Sequence, residues 1–339
     1  MAAAPGQQPN PLPIFETITA YQRTEALKAA VDLDIFTAIG EGHDTPAKLA
    51  AHRGVAERGA RILCDFLTVH SLLTKTGGCY ALTPDTALFL DRRSMAYMGS
   101  TLQFLLAPGL TENYRDLAAV VRKGGTVAAQ DGTISHENPV WVEFARGMAP
   151  LMAFPAEGIA DLLRAHEGGR CKVLDIAAGH GLFGIAIARR NPQAQVAAVD
   201  WRNVLEVAKE NAQQAGVAER YRTLPGSAFD VEFGADFDIV LLTNFLHHFD
   251  APTCERLLGK IHTALVPGGR VVTLEFVPNE DRVSPPMQAA FALTMLASTP
   301  AGDAYTFAEL ESMFRNAGFA RSEMHALPPS FQHVVISTK

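Results

Sequence analysis

Apolar residues recur three or four positions apart from Ile14 to Ile39 (Ile14, Ile18, Tyr21, Leu27, Ala30, Val31), a spacing that predicts two amphipathic helices. A short helix follows, with Asp44 expected as its cap and Pro46 just inside it. A longer amphipathic helix spans 56–73, and 74–84 reads as a small hairpin turning at Gly77 and Gly78. Residues from about 100 to 168 read as helices rich in large apolar side chains, up to a boundary at Glu167, Gly168 and Gly169.

Beyond that boundary the texture changes. Short apolar runs at 172–177, 195–200, 220–226, 237–245, 269–277 and 333–338 read as strands, and amphipathic stretches at 181–190, 204–216, 250–265 and 306–319 read as helices between them. Thr306 and Glu309 stand in capping-box spacing at the start of the last helix. Strand–helix alternation implies an α/β fold with a mostly parallel sheet, whose ligands bind outside the carboxyl ends of the strands.

Helix, helix, helix, hairpin is the pattern of a winged helix, used either to read DNA or simply to pack and dimerise. The would-be recognition segment carries Arg53, Arg58 and Arg61 but also Glu57 and Asp65, and the net charge is −7, which argues against a nucleic-acid partner. With 339 residues, 48% hydrophobic and 19% charged, the chain is expected to bury more than one core. No run of 18 apolar residues predicts a membrane span. The first thirteen residues read as a proline-rich lead-in and not as a signal peptide. Cys64, Cys79, Cys171 and Cys254 lie far apart with no C-x-x-C, which suggests no metal site or disulfide framework and fits a cytoplasmic setting.

The candidate chemistry starts after the first strand of the alternating region. Gly179, Gly181 and Gly184 form a G-x-G-x-x-G that opens a helix, a place suited to close approach of a ligand and to negative charge. Asp175, four residues earlier, is discordant with a pyrophosphate, because a carboxylate beside a diphosphate costs energy in a partly buried cleft. A ligand bearing an ammonium and a sulfonium gains from it, and S-adenosyl-L-methionine has both. Asp200 ends the next strand, 21 residues after Gly179, the usual position of an acid that binds ribose hydroxyls. Trp201 is placed either to pack on adenine or to cover the sheet edge.

On D-I-A-A-G-H-G and the placement of Asp200, the chain resembles the class I S-adenosylmethionine-dependent methyltransferases. Nearly the whole chain is similar to the small-molecule O-methyltransferases of the caffeate and hydroxyindole type. The resemblance implies a Rossmann-like domain with a seven-stranded, mostly parallel sheet at 169–339. A winged-helix dimerisation domain at 1–100 precedes it, with a helical connector at 101–168 that contributes to the substrate pocket. It implies a homodimer, a small-molecule acceptor, no metal, and S-adenosyl-L-methionine held by Asp175, Ala177, Gly179, Gly181 and Asp200. P-G-S-A-F matches the family stretch beside the adenine: Gly226 and Phe229 are retained, Ala228 lies between, and Ser227 stands in place of an acid. Thr243 and Asn244 match the stretch that flanks the cofactor after the fourth strand.

The resemblance also places His247 where the family has the base that deprotonates a phenol, with His248 beside it and Glu275 matching one supporting glutamate. The alternative is that the histidine pair only braces its loop. The second glutamate of the family falls near Ala304, where only the adjacent Asp303 is acidic. That departure leaves S-methylation of a thioether, by positioning alone, as an alternative to a hydroxyl acceptor. The acceptor pocket is expected among Trp141, Phe144, Met148, Met152, Phe291 and Met295, with Tyr21 reaching in from the other subunit. Arg146 or Arg115 is available to pair with an acceptor carboxylate, although a solvated surface position is the more ordinary expectation for each. An NAD-dependent dehydrogenase, favoured only by the glycine spacing, and a DNA-binding regulator are the readings from other classes.

Overall fold

The computed structural model describes residues 8–128 and 138–339, so the first seven residues of the proline-rich lead-in lie outside the description. The chain divides into two compact units, one up to Leu106 and one from Ala107 onward. The residues expected as a connector, 101–168, are thus split, the larger part grouping with the second unit.

The first unit contains α1 (Leu12–Ile18), α2 (Ala20–Asp32), α3 (Ile35–Gly40), α4 (Pro46–Arg53), α5 (Glu57–Val69), the hairpin β1 (Leu73–Thr76) and β2 (Cys79–Leu82), α6 (Pro84–Phe89) and α7 (Gly99–Leu105). The stretch expected as two helices forms three. Asp34 breaks it in a left-handed conformation (φ 55°), with its carboxylate held by Thr37, Arg53 and Arg92. Thr45, not Asp44, caps α4: its Oγ1 accepts the Lys48 N–H at 3.3 Å, while Asp44 pairs with the Lys48 ammonium. Phe36, Leu49, Leu67, Leu73 and Tyr80 form the core. Leu12, Ile14, Phe15, Ile18 and Tyr21, on α1 and the start of α2, are exposed.

The second unit opens with α8 (Pro108–Thr111), α9 (Leu117–Lys123) and α10 (Val140–Leu162). Then β3 (Cys171–Ile176), α11 (Leu182–Arg190), β4 (Ala194–Asp200), α12 (Arg202–Gln214), β5 (Tyr221–Pro225), β6 (Phe237–Thr243), α13 (Ala251–Ala264), β7 (Leu265–Glu275), α14 (Pro286–Ser298), α15 (Phe307–Asn316), β8 (Arg321–Ala326) and β9 (His333–Thr338) alternate. One seven-stranded sheet results, in the order β5-β4-β3-β6-β7-β9-β8, with β9 antiparallel to both of its neighbours and the other pairs parallel. Two apolar cores flank it, one containing Met152, Ala156 and Ile159 of α10 with α11, the other α13 and α15. Asp250 caps α13, and Thr306 and Glu309 form the expected capping box on α15. Among the described residues, no helix is long and apolar enough to cross a membrane.

Candidate active site

The chain folds back from β3 to either side of the sheet, so the carboxyl ends of β3, β4 and β6 diverge at a switch point. A cavity of about 290 Å³ lies there. Ala177, Ala178, Gly179 and His180 line it after β3, Asp200 and Trp201 after β4, Ser227 to Asp230 after β5, and Thr243, Asn244, Phe245, His248 and Phe249 after β6. Trp141, Phe144 and Met152 of α10, with Phe183 and Val204, complete the wall.

Asp200 and Asp230 are the acids among the described residues of this wall, and Asp200 is the one at the end of β4. One carboxylate oxygen accepts the Gly179 N–H at 2.8 Å and the other the Trp201 N–H at 2.7 Å, which fixes the group while each oxygen keeps a further lone pair. Burial raises its pKa to about 6 against the pull of those two bonds.

Asp175 corrects the expectation from sequence. Its side chain is not on the cavity wall but fully buried, where Oδ2 accepts the Gly184 N–H at 3.1 Å and Oδ1 has no hydrogen-bond partner among the described residues. Burial pushes its pKa up to about 8, so at neutral pH the carboxyl is mostly protonated and offers no charge to attract a cation or repel a diphosphate. Gly184 makes this possible, since a Cβ there would stand 2.8 Å from Asp175 Oδ2. Gly181 likewise lies off the wall. Its bare backbone admits the Tyr221 hydroxyl and Ala208, which a Cβ there would meet at 2.6 and 3.0 Å. Gly226 is off the wall too: it turns the chain and donates its N–H to the Asp200 carbonyl at 2.9 Å.

The histidine pair is divided between two environments. His248 lines the cavity and is packed edge-on by Trp141, with ring centroids 5.3 Å apart. Its Nδ1 has no hydrogen-bond partner among the described residues, and burial with His247 beside it holds its pKa well below the ordinary value. His247 stands behind the wall, with Nδ1 2.5 Å from Glu275 Oε2 at the end of β7. The other oxygen of Glu275 accepts the N–H groups of Phe245 and Leu246, so one carboxylate fixes both the ring and its loop. The Asp303 N–H donates to the His247 carbonyl at 3.0 Å, while its carboxylate turns outward to Arg282. The family's second glutamate therefore has no counterpart at His247, and Ala304 is buried.

Several residues expected around the acceptor lie elsewhere. Arg146 reaches away to pair with Glu210 of α12 at 3.0 Å on the exposed surface, and Arg115 pairs with Glu112. Met148 packs on the α10–α11 core, and Met295 is buried away from the cavity. Phe291 is not on the wall, but its ring stands edge-on to His247 at 4.9 Å and stacks on Phe276 at 3.7 Å. Tyr21 belongs to the first unit and is exposed.

Sequence reading missed Ala178, His180, Phe183, Val204, Asp230, Phe245 and Phe249 on the wall. Position alone could have found His180, between two glycines of the loop, and the phenylalanines flanking the histidine pair. The His180 Nδ1 accepts the Leu182 N–H at 3.2 Å, and burial draws its pKa down to about 4, so the ring is a neutral Nε2–H donor. In the first unit, Glu41, His43 and His52 gather closely enough to suggest a metal site. Yet the two imidazoles stack at 3.7 Å with planes 16° apart, and nearly parallel rings cannot aim their in-plane lone pairs at one ion.

Comparison with known proteins matches this architecture in both units. Residues 114–320 fit the model of the O-methyltransferase domain, and residues 15–92 that of the O-methyltransferase dimerisation domain. The chain is 27% identical to 3-hydroxy-5-methyl-1-naphthoate 3-O-methyltransferase of Streptomyces sahachiroi, covering 94% of this chain and 93% of that one. A solved protein of Nostoc punctiforme, provisionally described as an O-methyltransferase, is 54% identical, covers 98% of this chain and 100% of its own, and superposes with a TM-score of 0.95. Human N-acetylserotonin methyltransferase, solved with S-adenosylmethionine, shares the fold at 20% identity and a TM-score of 0.84, over 99% of each chain. The chain belongs to the O-methyltransferase family, with a Rossmann-like catalytic domain joined to an N-terminal dimerisation domain.

Proposed function

We propose that this enzyme methylates a hydroxyl group of a small, flat, apolar acceptor, with His247 as the general base and Glu275 as the group that orients it. The observation that carries this reading is the His247–Glu275 contact. A carboxylate at Nδ1 fixes the proton there, so Nε2 keeps its lone pair free to take a proton from the acceptor. S-adenosylmethionine, when bound, supplies an electrophilic methyl group on a sulfonium. His247 Nε2 would take the proton of the acceptor hydroxyl as its oxygen receives the methyl group, and the donor would leave as S-adenosylhomocysteine.

The cavity suits that cofactor better than a dinucleotide. Among the described residues its wall carries two carboxylates, Asp200 and Asp230, and no lysine or arginine to pair with a diphosphate. In this reading Asp200 accepts the ribose hydroxyls, and Trp201, Ser227, Ala228 and Phe229 enclose the adenine. Ala177, Gly179, Thr243 and Asn244 flank the methionine part. Trp141, Phe144, Met152 and His248 shape the acceptor side, with Phe291 packed behind His247. The exposed apolar face of α1 and α2 supports a homodimer, in which Tyr21 reaches the acceptor of the other subunit.

His247→Ala tests the base. Its kcat for a phenolic acceptor is expected to fall by about 10²–10⁴-fold with S-adenosylhomocysteine affinity unchanged in calorimetry. Unaltered turnover would show the ring to be a brace.

A further inference from the structure

The loop that brings Ser227, Ala228, Phe229 and Asp230 to the cavity wall has two sides of opposite polarity. Its N–H side is satisfied locally: Gly226 donates to the Asp200 carbonyl, Phe229 to Ser227 Oγ, and Asp230 and Val231 to the Ser227 carbonyl. Its carbonyl side converges on one atom. The oxygens of Ala228, Phe229 and Val231 lie 3.1, 3.0 and 2.7 Å from Nζ of Lys260, which also sits 4.2 Å from the centre of the Phe233 ring.

The match is chemical as well as geometric. An ammonium has three N–H donors in a tripod, one for each carbonyl, and three dipoles aimed at one point need a cation among them. Lys260 comes from α13, which Leu257, Leu258 and Ile261 anchor in the core, so a rigid helix grips a loop that has no strand partner of its own. Burial lowers the lysine's pKa, with Glu232 and Asp230 opposing that shift.

We propose that Lys260 is a positioning residue of the cofactor site: through three backbone carbonyls its ammonium holds the 226–231 loop in the shape that lines the cavity. It touches neither the cavity nor the reacting atoms, and its effect passes through the loop. The proposal rests on reading the cavity as the cofactor site and is independent of the role of His247.

Calorimetry with S-adenosylhomocysteine on the full-length enzyme tests it, with D200A as reference. K260M keeps the apolar stem and loses all three donors, so affinity is expected to fall at least about tenfold, as for loss of charge-assisted hydrogen bonds. The KM for cofactor should rise in step while kcat at saturating cofactor stays within about twofold of wild type. K260R keeps the charge but offers a planar fork in place of a tripod, and is expected to weaken binding by about threefold or more. K260C alkylated with 2-bromoethylamine rebuilds the ammonium and should restore affinity, against wild type treated alike. A purely structural lysine would lower the melting temperature without this split between KM and kcat. If K260M does not fold, K260R and the alkylated cysteine decide. Wild-type affinity in folded K260M or K260R, or no restoration on alkylation, overturns the proposal. If D200A also binds as wild type does, the cavity reading falls with it.

Discussion

Glu275 meets His247 with one oxygen, at 2.5 Å from Nδ1, and with the other accepts the N–H groups of Phe245 and Leu246. The carboxylate thus sets the tautomer of the ring and the shape of its loop together. In Glu275→Gln the carboxamide oxygen is expected to go to the two amides, because they have no other acceptor, and the NH₂ then faces Nδ1. The ring must accept there and carry its proton on Nε2, where it can no longer serve as a base. We expect kcat for a hydroxyl acceptor to fall by about 10²-fold or more, with cofactor affinity kept. The double variant with His247→Ala should be little slower than either single one. Full additivity in steady-state kinetics would mean that the two residues act separately.

The Asp200 carboxylate is held by two backbone amides and has a pKa near 6. It accepts hydroxyl protons best when ionised, so affinity for S-adenosylhomocysteine should decline as the pH drops below about 6 in the free enzyme. Asp200→Ala should weaken binding by about tenfold or more and remove most of that pH dependence. Calorimetry from pH 5 to 8 checks both, and an unchanged pH profile in the variant would place the ribose elsewhere.

Asp175 leads to a prediction about the fold. Its folded pKa, about 8, lies above the ordinary value of 3.8, so the folded chain holds a proton that the unfolded chain releases. That stability is fully present below about pH 4 and is lost as pH rises through 8. Asp200 accounts for part of the loss up to about 6, and the buried His180 and His248 act in the opposite direction up to about 6.5, near the imidazole's unfolded value. The histidines still offset part of it just above that value, so the wild-type protein is best read against Asp175→Asn: between pH 6.5 and 7.5 the stability of the ligand-free enzyme relative to that variant should fall by about 1.2 kcal/mol. Asp175→Asn should flatten the slope. Urea melts across that range measure it, and equal slopes in the two proteins would show the carboxyl to be ionised in the folded state.

Legibility from sequence followed the reach of each physical signal. Buried strands announce themselves as apolar runs, so β3, β4, β6 and β7, and with them the positions of Asp200, Thr243 and Asn244 at strand ends, could be read directly. β8, Arg321–Ala326, could not, because an exposed edge strand bonded only to β9 needs no apolar alternation. The direction of a side chain at a strand end was also hidden. Asp175 was placed correctly along the chain, but the space under Gly184 that receives its carboxyl depends on a neighbour nine residues away in a different element. The same limit applies to Arg146: helical spacing told which residues share a face of α10, not that Glu210 of α12 stands across from that one.

The Arg146–Glu210 pair supplies the last prediction. Both side chains are at least half solvated, and an exposed ion pair contributes about 0–1 kcal/mol. Arg146→Ala should therefore leave kcat, the acceptor KM and the cofactor affinity within about twofold of wild type, for neutral and carboxylated acceptors alike. Of the two roles the sequence leaves open for Arg146, pairing with an acceptor carboxylate instead anticipates a large rise in KM confined to carboxylated acceptors. A matched pair of phenols with and without a carboxyl group separates the two outcomes. A selective loss would mean that α10 turns this face toward the acceptor during turnover.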